Sequence, residues 1–336
     1  MFLRKFFLHH KKLAVTLSVI LGVILTFVLL CLSTYIPRTG DTDYSAPQVV
    51  ANKYITQQTM VSAHRAGRNI APENTMAAFK ECFETNEYAV DVLEFDLHIT
   101  KDKKLILLHD DTLDRTSDCV DKYGEKKVRP ENKTIGELKQ YNMGYHFEKN
   151  GTYPNREANA DLTYCRIVTL NEVLDYILSQ EAPDKWNKQF MFIIEIKNGK
   201  QLGYEAADIL RDTLMEYGIA DRTIVGTFKG EVSKYLDEHC PEICRSAGIA
   251  EVFGFYFACM FGVPLNNVKY RVLQIPYKDF VINFGKKSII DYAHKYGIAV
   301  QYWTINKAKD IRHLKDIGAD CIMSDNPDIA YQIIYG

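Results

Sequence analysis

Residues 61–75 read V-S-A-H-R-A-G-R-N-I-A-P-E-N-T, and residues 92–110 read V-L-E-F-D-L-H-I-T-K-D-K-K-L-I-L-L-H-D. Apolar residues lead from Met60 up to His64 and from Leu105 to Leu108 up to His109. Each histidine therefore sits where a short buried strand gives way to loop, the place where a rigid scaffold presents chemistry. Glu94 and Asp96 stand two apart, so on a strand their side chains leave one face and form a ready clamp for a divalent cation. The turn Lys101 to Lys104 is too short for a parallel crossover and predicts an antiparallel hairpin. Pairing Thr100 with Leu105 sets Asp96 opposite His109 and Glu94 opposite Asp111, whereas a slip of one residue would separate them. His98 shares the face of Glu94 and Asp96 and reads either as a substrate or metal contact or as a partly buried ring.

Outward from this stretch, strand and helix signals alternate. Residues 75–85 carry Met76, Phe79, Cys82 and Phe83 at helical spacing, with Asn74 or Thr75 as a cap. After residue 163 the pattern runs helix 170–178, strand 190–196, helix 204–217, strand 223–227, helix 232–239 and a strand near 243–249. It continues with strands near 272–275, 298–304 and 321–323, separated by helices at 287–296 and 308–317. Alternation of this kind predicts a parallel α/β sheet. With nine strand candidates including the hairpin, the expected fold is a TIM (β/α)8 barrel, slightly irregular near its N-terminal third. A doubly wound sheet would want a Gly-rich dinucleotide loop, which the chain lacks. Residues 111–163 turn polar, with one helix candidate at Ile135 to Tyr141, and read as an insertion over the barrel mouth.

The chain has 336 residues, 47% hydrophobic and 25% charged, enough for one barrel of about 250 residues plus extras. Its net charge of −2, with no basic stripe interleaved with aromatics in the main domain, argues against a nucleic-acid binder. Residues 13–36 carry no charge and exceed the ~20 apolar residues that span a bilayer, so one N-terminal transmembrane helix is expected. Arg4, Lys5, Lys11 and Lys12 precede it, and Arg38 is balanced by Asp41 and Asp43 after it. The positive-inside rule then places residues 1–12 in the cytoplasm and the large domain outside a cell membrane. A cleaved signal peptide is the rival reading, weakened by the length of the apolar run. Residues 37–57 read as a stalk and 58–336 as the barrel domain. Outside Cys31 lie seven cysteines, an odd number that implies no full disulfide framework. Cys119 and Cys165 read either as a bridge or as buried thiols, and Cys240 and Cys244 lack the spacing of a zinc site.

The residues His64-Arg65-Ala66-Gly67, Pro72-Glu73-Asn74-Thr75, Glu94-Phe95-Asp96, His109-Asp110 and Glu195-Ile196-Lys197 resemble, in order, the glycerophosphodiester phosphodiesterase family. Later pieces also fit: R-I-V-T-L-N-E-V-L from Arg166, W-T-I-N from Trp303 and M-S-D-N-P from Met323. Two departures stand out: Ala66 displaces the glycine that usually follows H-R, and Val168 stands where the family often has proline. The resemblance implies a lid, in the insertion, that shapes the glycerol side, and it implies Trp303 as an apolar wall, with ordinary barrel core as the alternative.

Phosphodiester cleavage must neutralise the phosphate, position a nucleophile and protonate a leaving alkoxide. Glu94, Asp96 and Glu195 supply hard oxygen ligands for Ca²⁺ or Mg²⁺. Arg65 and Lys197 would bind phosphate charge, Glu73 would hold the metal or a glycerol hydroxyl, and His64 and His109 would divide proton transfer. The expected reaction, shaped by the resemblance, is internal attack by the glycerol 2-hydroxyl through a cyclic phosphate, then hydrolysis to glycerol 3-phosphate and an alcohol. A lysophospholipase D-like activity and a non-catalytic surface binding protein are the alternatives. Residues 252–263, V-F-G-F-Y-F-A-C-M-F-G-V, carry no charge. They read either as an interfacial or acyl-cradling segment or as buried helix packing.

Overall fold

The computed structural model describes Gly22 and residues 51–181, 189–266, 268–278 and 282–336. Apart from Gly22, the expected transmembrane segment, residues 13–36, lies outside the described residues, as do the basic tail before it and most of the stalk; among the described residues no helix is long and apolar enough to cross a membrane.

Eight strands run parallel around a nearly closed barrel: β1 (Met60–Ala63), β2 (Val92–Ile99), β4 (Met191–Ile196), β5 (Thr223–Gly226), β6 (Cys244–Arg245), β7 (Val272–Pro276), β8 (Ala299–Trp303) and β9 (Cys321–Ser324). Their order is β6-β5-β4-β2-β1-β9-β8-β7, and a parallel bridge between Ser246 and Val272 joins the two ends. The odd strand, β3 (Leu105–Leu107), pairs antiparallel with β2 off the barrel path, the irregularity expected in the N-terminal third. Alternation sorts the side chains. Leu93, Phe95, Phe192 and Ile194 pack outward with helix residues such as Phe79 and Leu174, while Val92, Ile193, Ile224, Val272 and Cys321 plug the interior. Phe95 meets Phe79 edge-on at 5.7 Å, and losing so buried a ring would cost about 3–5 kcal/mol.

Helices α1 (Met76–Glu84), α3 (Leu170–Gln180), α4 (Lys200–Glu216), α5 (Gly230–His239), α6 (Ile249–Phe261), α7 (Lys287–Lys295), α8 (Ala308–Asp316) and α9 (Pro327–Tyr335) link and cover the strands, with the short α2 (Ile135–Leu138) in the insertion. The Thr-x-x-Glu spacing of Thr169 and Glu172 forms a reciprocal capping box that starts α3, stabilising its first turn by about 1 kcal/mol.

Three expectations change. The hairpin register is Leu97–Leu107, His98–Ile106 and Ile99–Leu105, one residue off the expected pairing, because Thr100 to Lys104 form a five-residue loop. The Thr100 amide donates to the Lys104 carbonyl at 2.9 Å, and Lys103 takes a left-handed φ of 58°. The strand expected near 243–249 shrinks to Cys244–Arg245, and Ile249 instead opens α6, a short apolar run that periodicity alone does not assign. The stalk ends sooner than expected: Asn52 donates to the carbonyls of Arg271 and Gly297, and the Tyr54 hydroxyl donates to Thr223, docking these residues at the amino ends of the strands. Residues 111–163 fold beside β3 around a second small core of Leu113, Cys119, Val128, Leu138, Tyr141 and Met143. The seven described cysteines are free, Cys119 and Cys165 included.

Candidate active site

The turn after β1 sets the geometry. Arg65 and Ala66 take left-handed backbone conformations, φ 52° and 59°, which cost a residue with a Cβ about 1–2 kcal/mol each. Ala66 thus holds, against its own preference, the conformation a glycine would take freely. The turn aims the Arg65 amide at Glu94, which accepts at 2.7 Å through Oε2, and leaves His64 Nε2 4.0 Å from the same oxygen. On its other side His64 Nδ1 lies 2.5 Å from Asp325 Oδ1. A carboxylate only accepts, so Nδ1 carries the proton and Nε2 is the basic nitrogen. Asp325 is fixed by Asn306, whose amide donates to Oδ2 at 2.7 Å while its carbonyl accepts from the Asp325 backbone at 2.9 Å. Burial opposes the ionised Asp325, but the hydrogen bond and charge of His64 outweigh it and hold the carboxyl below its usual range.

The acidic cluster comes from adjacent strands. Parallel pairing of β2 and β4 sets Asp96 beside Glu195, and Asn74, in left-handed conformation, donates to Asp96 Oδ2 at 3.0 Å. Lys197 Nζ lies 3.3 Å from Asp96 Oδ1 and 2.9 Å from Glu195 Oε1. Burial and the neighbouring charge of Asp96 push Glu94 well above the ordinary carboxylate range. Burial also raises Glu195, with Asp96 adding to it and Lys197 opposing. Among the described residues no three acidic, histidine or cysteine side chains converge into a preformed metal cage. The Lys197 ammonium instead bridges Asp96 and Glu195. The donor chemistry nevertheless fits a hard divalent cation: buried oxygen ligands, two of them disfavoured as anions by burial and by the neighbouring charge of Asp96.

His109 lies just past β3, on loop rather than strand, so the register slip does not carry it away. Its Nδ1 is 2.7 Å from Asp110 Oδ1. Arg115 donates to Asp110 Oδ2 at 2.6 Å and twice to Glu73, at 2.9 and 2.6 Å. Arg65 Nη1 donates to the same Glu73 at 2.8 Å. Burial works against Glu73 as an anion, yet the two arginines outweigh it and lower its pKa to about 2.

These groups open into one cavity of about 340 Å³. His64, Arg65, Glu94, Asp96, His109 and Glu195 form its polar wall, and Phe228, Ile249, Val252, Phe253, Pro276 and Trp303 the opposite, apolar one. Phe228 stands edge-on to Trp303 at 5.9 Å. Gly226 keeps the floor open, since a Cβ there would come 3.0 Å from the Gln274 side-chain oxygen. Of the residues singled out from sequence, Lys197 and Glu73 stand behind the polar wall, clamped by their ion pairs, rather than on it. His98 is fully buried off the cavity, with neither ring nitrogen hydrogen-bonded.

Residues 64–329 match the model of the glycerophosphoryl diester phosphodiesterase family. The chain belongs to that family. It is accordingly a phosphoric diester hydrolase. A glycerophosphodiester phosphodiesterase from Caldanaerobacter subterraneus subsp. tengcongensis is 27% identical over 277 residues, 82% of this chain and 98% of the relative. Lysophospholipase D GDPD1 of Rattus norvegicus is 24% identical, over 79% of this chain and 82% of its own length. Among solved structures, an Oleispira antarctica phosphodiesterase in complex with the product sn-glycerol-3-phosphate superposes with a TM-score of 0.62 at 21% identity, covering 83% of this chain and 98% of that one. That likeness bears on the fold.

Within this phosphodiesterase fold, sequence reasoning gave no site role to Asp325, Asn306, Asn74 or Arg115, although three of them stand inside quoted motifs. Asp325 directly follows β9, so treating every strand end as a place for chemistry would have found it.

Proposed function

We propose that this chain hydrolyses glycerophosphodiesters to glycerol 3-phosphate and an alcohol, with a divalent cation, Ca²⁺ or Mg²⁺, as cofactor. The observation that carries the reading is the pairing of two carboxylate-backed imidazoles, His64 with Asp325 and His109 with Asp110, around one acidic cluster at a single rim. Asp325 and Asp110 each hold a Nδ1–H, which leaves both Nε2 atoms for proton transfer. One imidazole takes the proton of the glycerol 2-hydroxyl as it attacks phosphorus, and the other protonates the departing alcohol oxygen. The resulting cyclic phosphate is opened by water with the two roles reversed, giving back both protonation states. Arg65 offers its partly paired guanidinium, whose buried Nε has no hydrogen-bond partner, to the phosphate. Glu94, Asp96 and Glu195 would hold the cation, which when bound neutralises phosphate charge and acidifies the attacking hydroxyl. Lys197 and Glu73 hold this shell in place, and Trp303 forms the apolar wall.

The apolar wall favours a second reading, cleavage of lysophospholipids, since it offers an acyl-bearing alcohol a surface to lie against. We read the uncharged segment 13–36 as a membrane anchor with a cytoplasmic N-terminus, which puts the barrel on the outer face of the cell membrane. Assaying full-length protein on glycerophosphocholine and lysophosphatidylcholine, with Ca²⁺, Mg²⁺ or chelator, tests both readings. Turnover of neither substrate in any condition would refute them.

A further inference from the structure

The apolar wall does not stop at the cavity. Helix α6 carries Ile249, Phe253, Phe257 and Phe261 at four-residue spacing, one continuous stripe along a helix, and all four are between 39 and 54% exposed. Val263 beyond the helix and Phe228 across the cavity mouth are exposed as well. Every exposed phenylalanine among the described residues belongs to this one patch. No charged residue interrupts positions 252–263. Scattered exposed apolar side chains need no explanation, but a contiguous aromatic patch does.

The placement of α6 gives the patch its direction. A helix that follows a barrel strand ordinarily runs from the mouth towards the far end. Here the carboxyl-terminal half of α6 stays beside the first two turns of α7, which itself starts at the mouth. Cys259 faces the Ser288 carbonyl at 3.9 Å, the Tyr292 hydroxyl donates to Val263, and Tyr256 packs edge-on against the cavity residue Phe284 at 5.4 Å. The inner face, Phe255, Tyr256 and Met260, is buried, so the stripe is the face left over, lying along the rim.

From this we infer that the α6 stripe is a bilayer-docking surface that seats the cavity mouth on the lipid interface, with Phe253 continuing the apolar path from membrane to site. The inference rests on the membrane-anchored reading proposed above. Chain length supports this occupant. The continuous described stretch from residue 51 starts at the strands' amino ends, where Asn52 is tied to Arg271 and Gly297, opposite the cavity. To bring the mouth to the membrane, residues 37–50 must span the barrel. Fully extended, those residues reach at most about 50 Å, whereas the 8-residue strand β2 is only about 26 Å long. An uncharged flank bearing phenylalanines is also what an interfacial element presents to acyl chains.

The test uses the full chain in phosphatidylcholine nanodiscs, with an environment-sensitive fluorophore attached to Phe257→Cys, Phe261→Cys or, as a control remote from the patch, Met215→Cys, and the signal of the parent chain subtracted. Replacing part of the lipid by doxyl-labelled phosphatidylcholine should quench the label at 257 and 261 at least twofold and leave that at 215 nearly unchanged. Equal quenching at all three positions overturns the inference. So does a blue-shifted label at 257 that doxyl lipid fails to quench, which marks a second copy or another protein on the patch. Because the readout needs no substrate, a chain that quenches but hydrolyses nothing ends the hydrolytic reading alone, and a chain that hydrolyses glycerophosphocholine without quenching ends the docking alone. In Phe257→Glu/Phe261→Glu, turnover of lysophosphatidylcholine embedded in the bilayer should fall at least tenfold, with water-soluble glycerophosphocholine changed less than twofold. Unchanged lysophosphatidylcholine turnover also overturns the inference.

Discussion

On the polar wall of the cavity His64 is held by Asp325, His109 by Asp110, and Asp96 by both Asn74 and Lys197. On the wall opposite, Phe228, Ile249, Phe253 and Trp303 are placed by packing, Phe228 and Trp303 through a ring contact. The contrast separates two kinds of constraint. Proton transfer and charge neutralisation require particular donors at particular distances, so a single altered atom on the polar wall is felt. An apolar wall requires volume and surface, so many side chains serve and the consequence of change is graded. Under the proposed function, reaction type therefore belongs to the first wall, and the size of the leaving alcohol to the second.

Substitutions on the two walls should separate by orders of magnitude. The largest effect is expected for His64→Ala or His109→Ala, each lowering kcat/KM on glycerophosphocholine by about a thousandfold with cation saturating. Near-wild-type turnover in either would move proton transfer elsewhere. Asp325→Asn keeps the shape but loses the anion that fixes the His64 tautomer, and a steady-state assay should show a loss of about 10–100-fold. Across the cavity, Phe253→Ala should reduce lysophosphatidylcholine turnover about tenfold, and glycerophosphocholine turnover at least threefold less than that. Equal losses on both substrates would erase the distinction between the walls.

The smallest effect is thermodynamic. Glu94 and Glu195 have raised pKa values in the fold, so the native state keeps protons that the unfolded chain gives up above about pH 4.5. Their contribution to stability is present at lower pH and is lost as pH rises through the folded values. Thermal melts of the metal-free protein should therefore fall in Tm between pH 5 and pH 8, and Glu94→Gln should flatten the trend. Added Ca²⁺ or Mg²⁺ should raise Tm more at pH 8 than at pH 5.

The same contrast explains what was legible in the sequence. The barrel could be read from alternating strand and helix signals, and His64, Glu94, Asp96 and His109 from strand ends and two-residue spacing, because local geometry dictates both; Glu195 entered only through the family resemblance of Glu195-Ile196-Lys197. Asp325 and Arg115 escaped because their roles are relational: an aspartate 261 residues from His64 and an arginine joining Glu73 to Asp110 become meaningful only when the loops meet. The hairpin register failed on a single loop residue, which alternation cannot fix when the turn type is unknown. Outside the helix candidate at Ile135 to Tyr141 the insertion looked like loop because its apolar residues, Leu113, Val128 and Met143 among them, follow neither helical nor strand period and find each other only in three dimensions. The stretch 252–263 left helix packing and interface open together; the structure shows a helix with a buried face and an exposed one.

The central claim is that buried carboxylates gather a cation between two histidines to cleave a glycerophosphodiester. Its most direct test is glycerol 3-phosphate release from glycerophosphocholine by the full-length protein, measured with chelator and then with Ca²⁺ or Mg²⁺ restored, for wild type and for Glu94→Gln. Wild-type release that vanishes with chelator and returns with cation, together with loss of at least about a hundredfold in Glu94→Gln, is the expected result. Release that ignores the chelator, or that survives in Glu94→Gln, would contradict it.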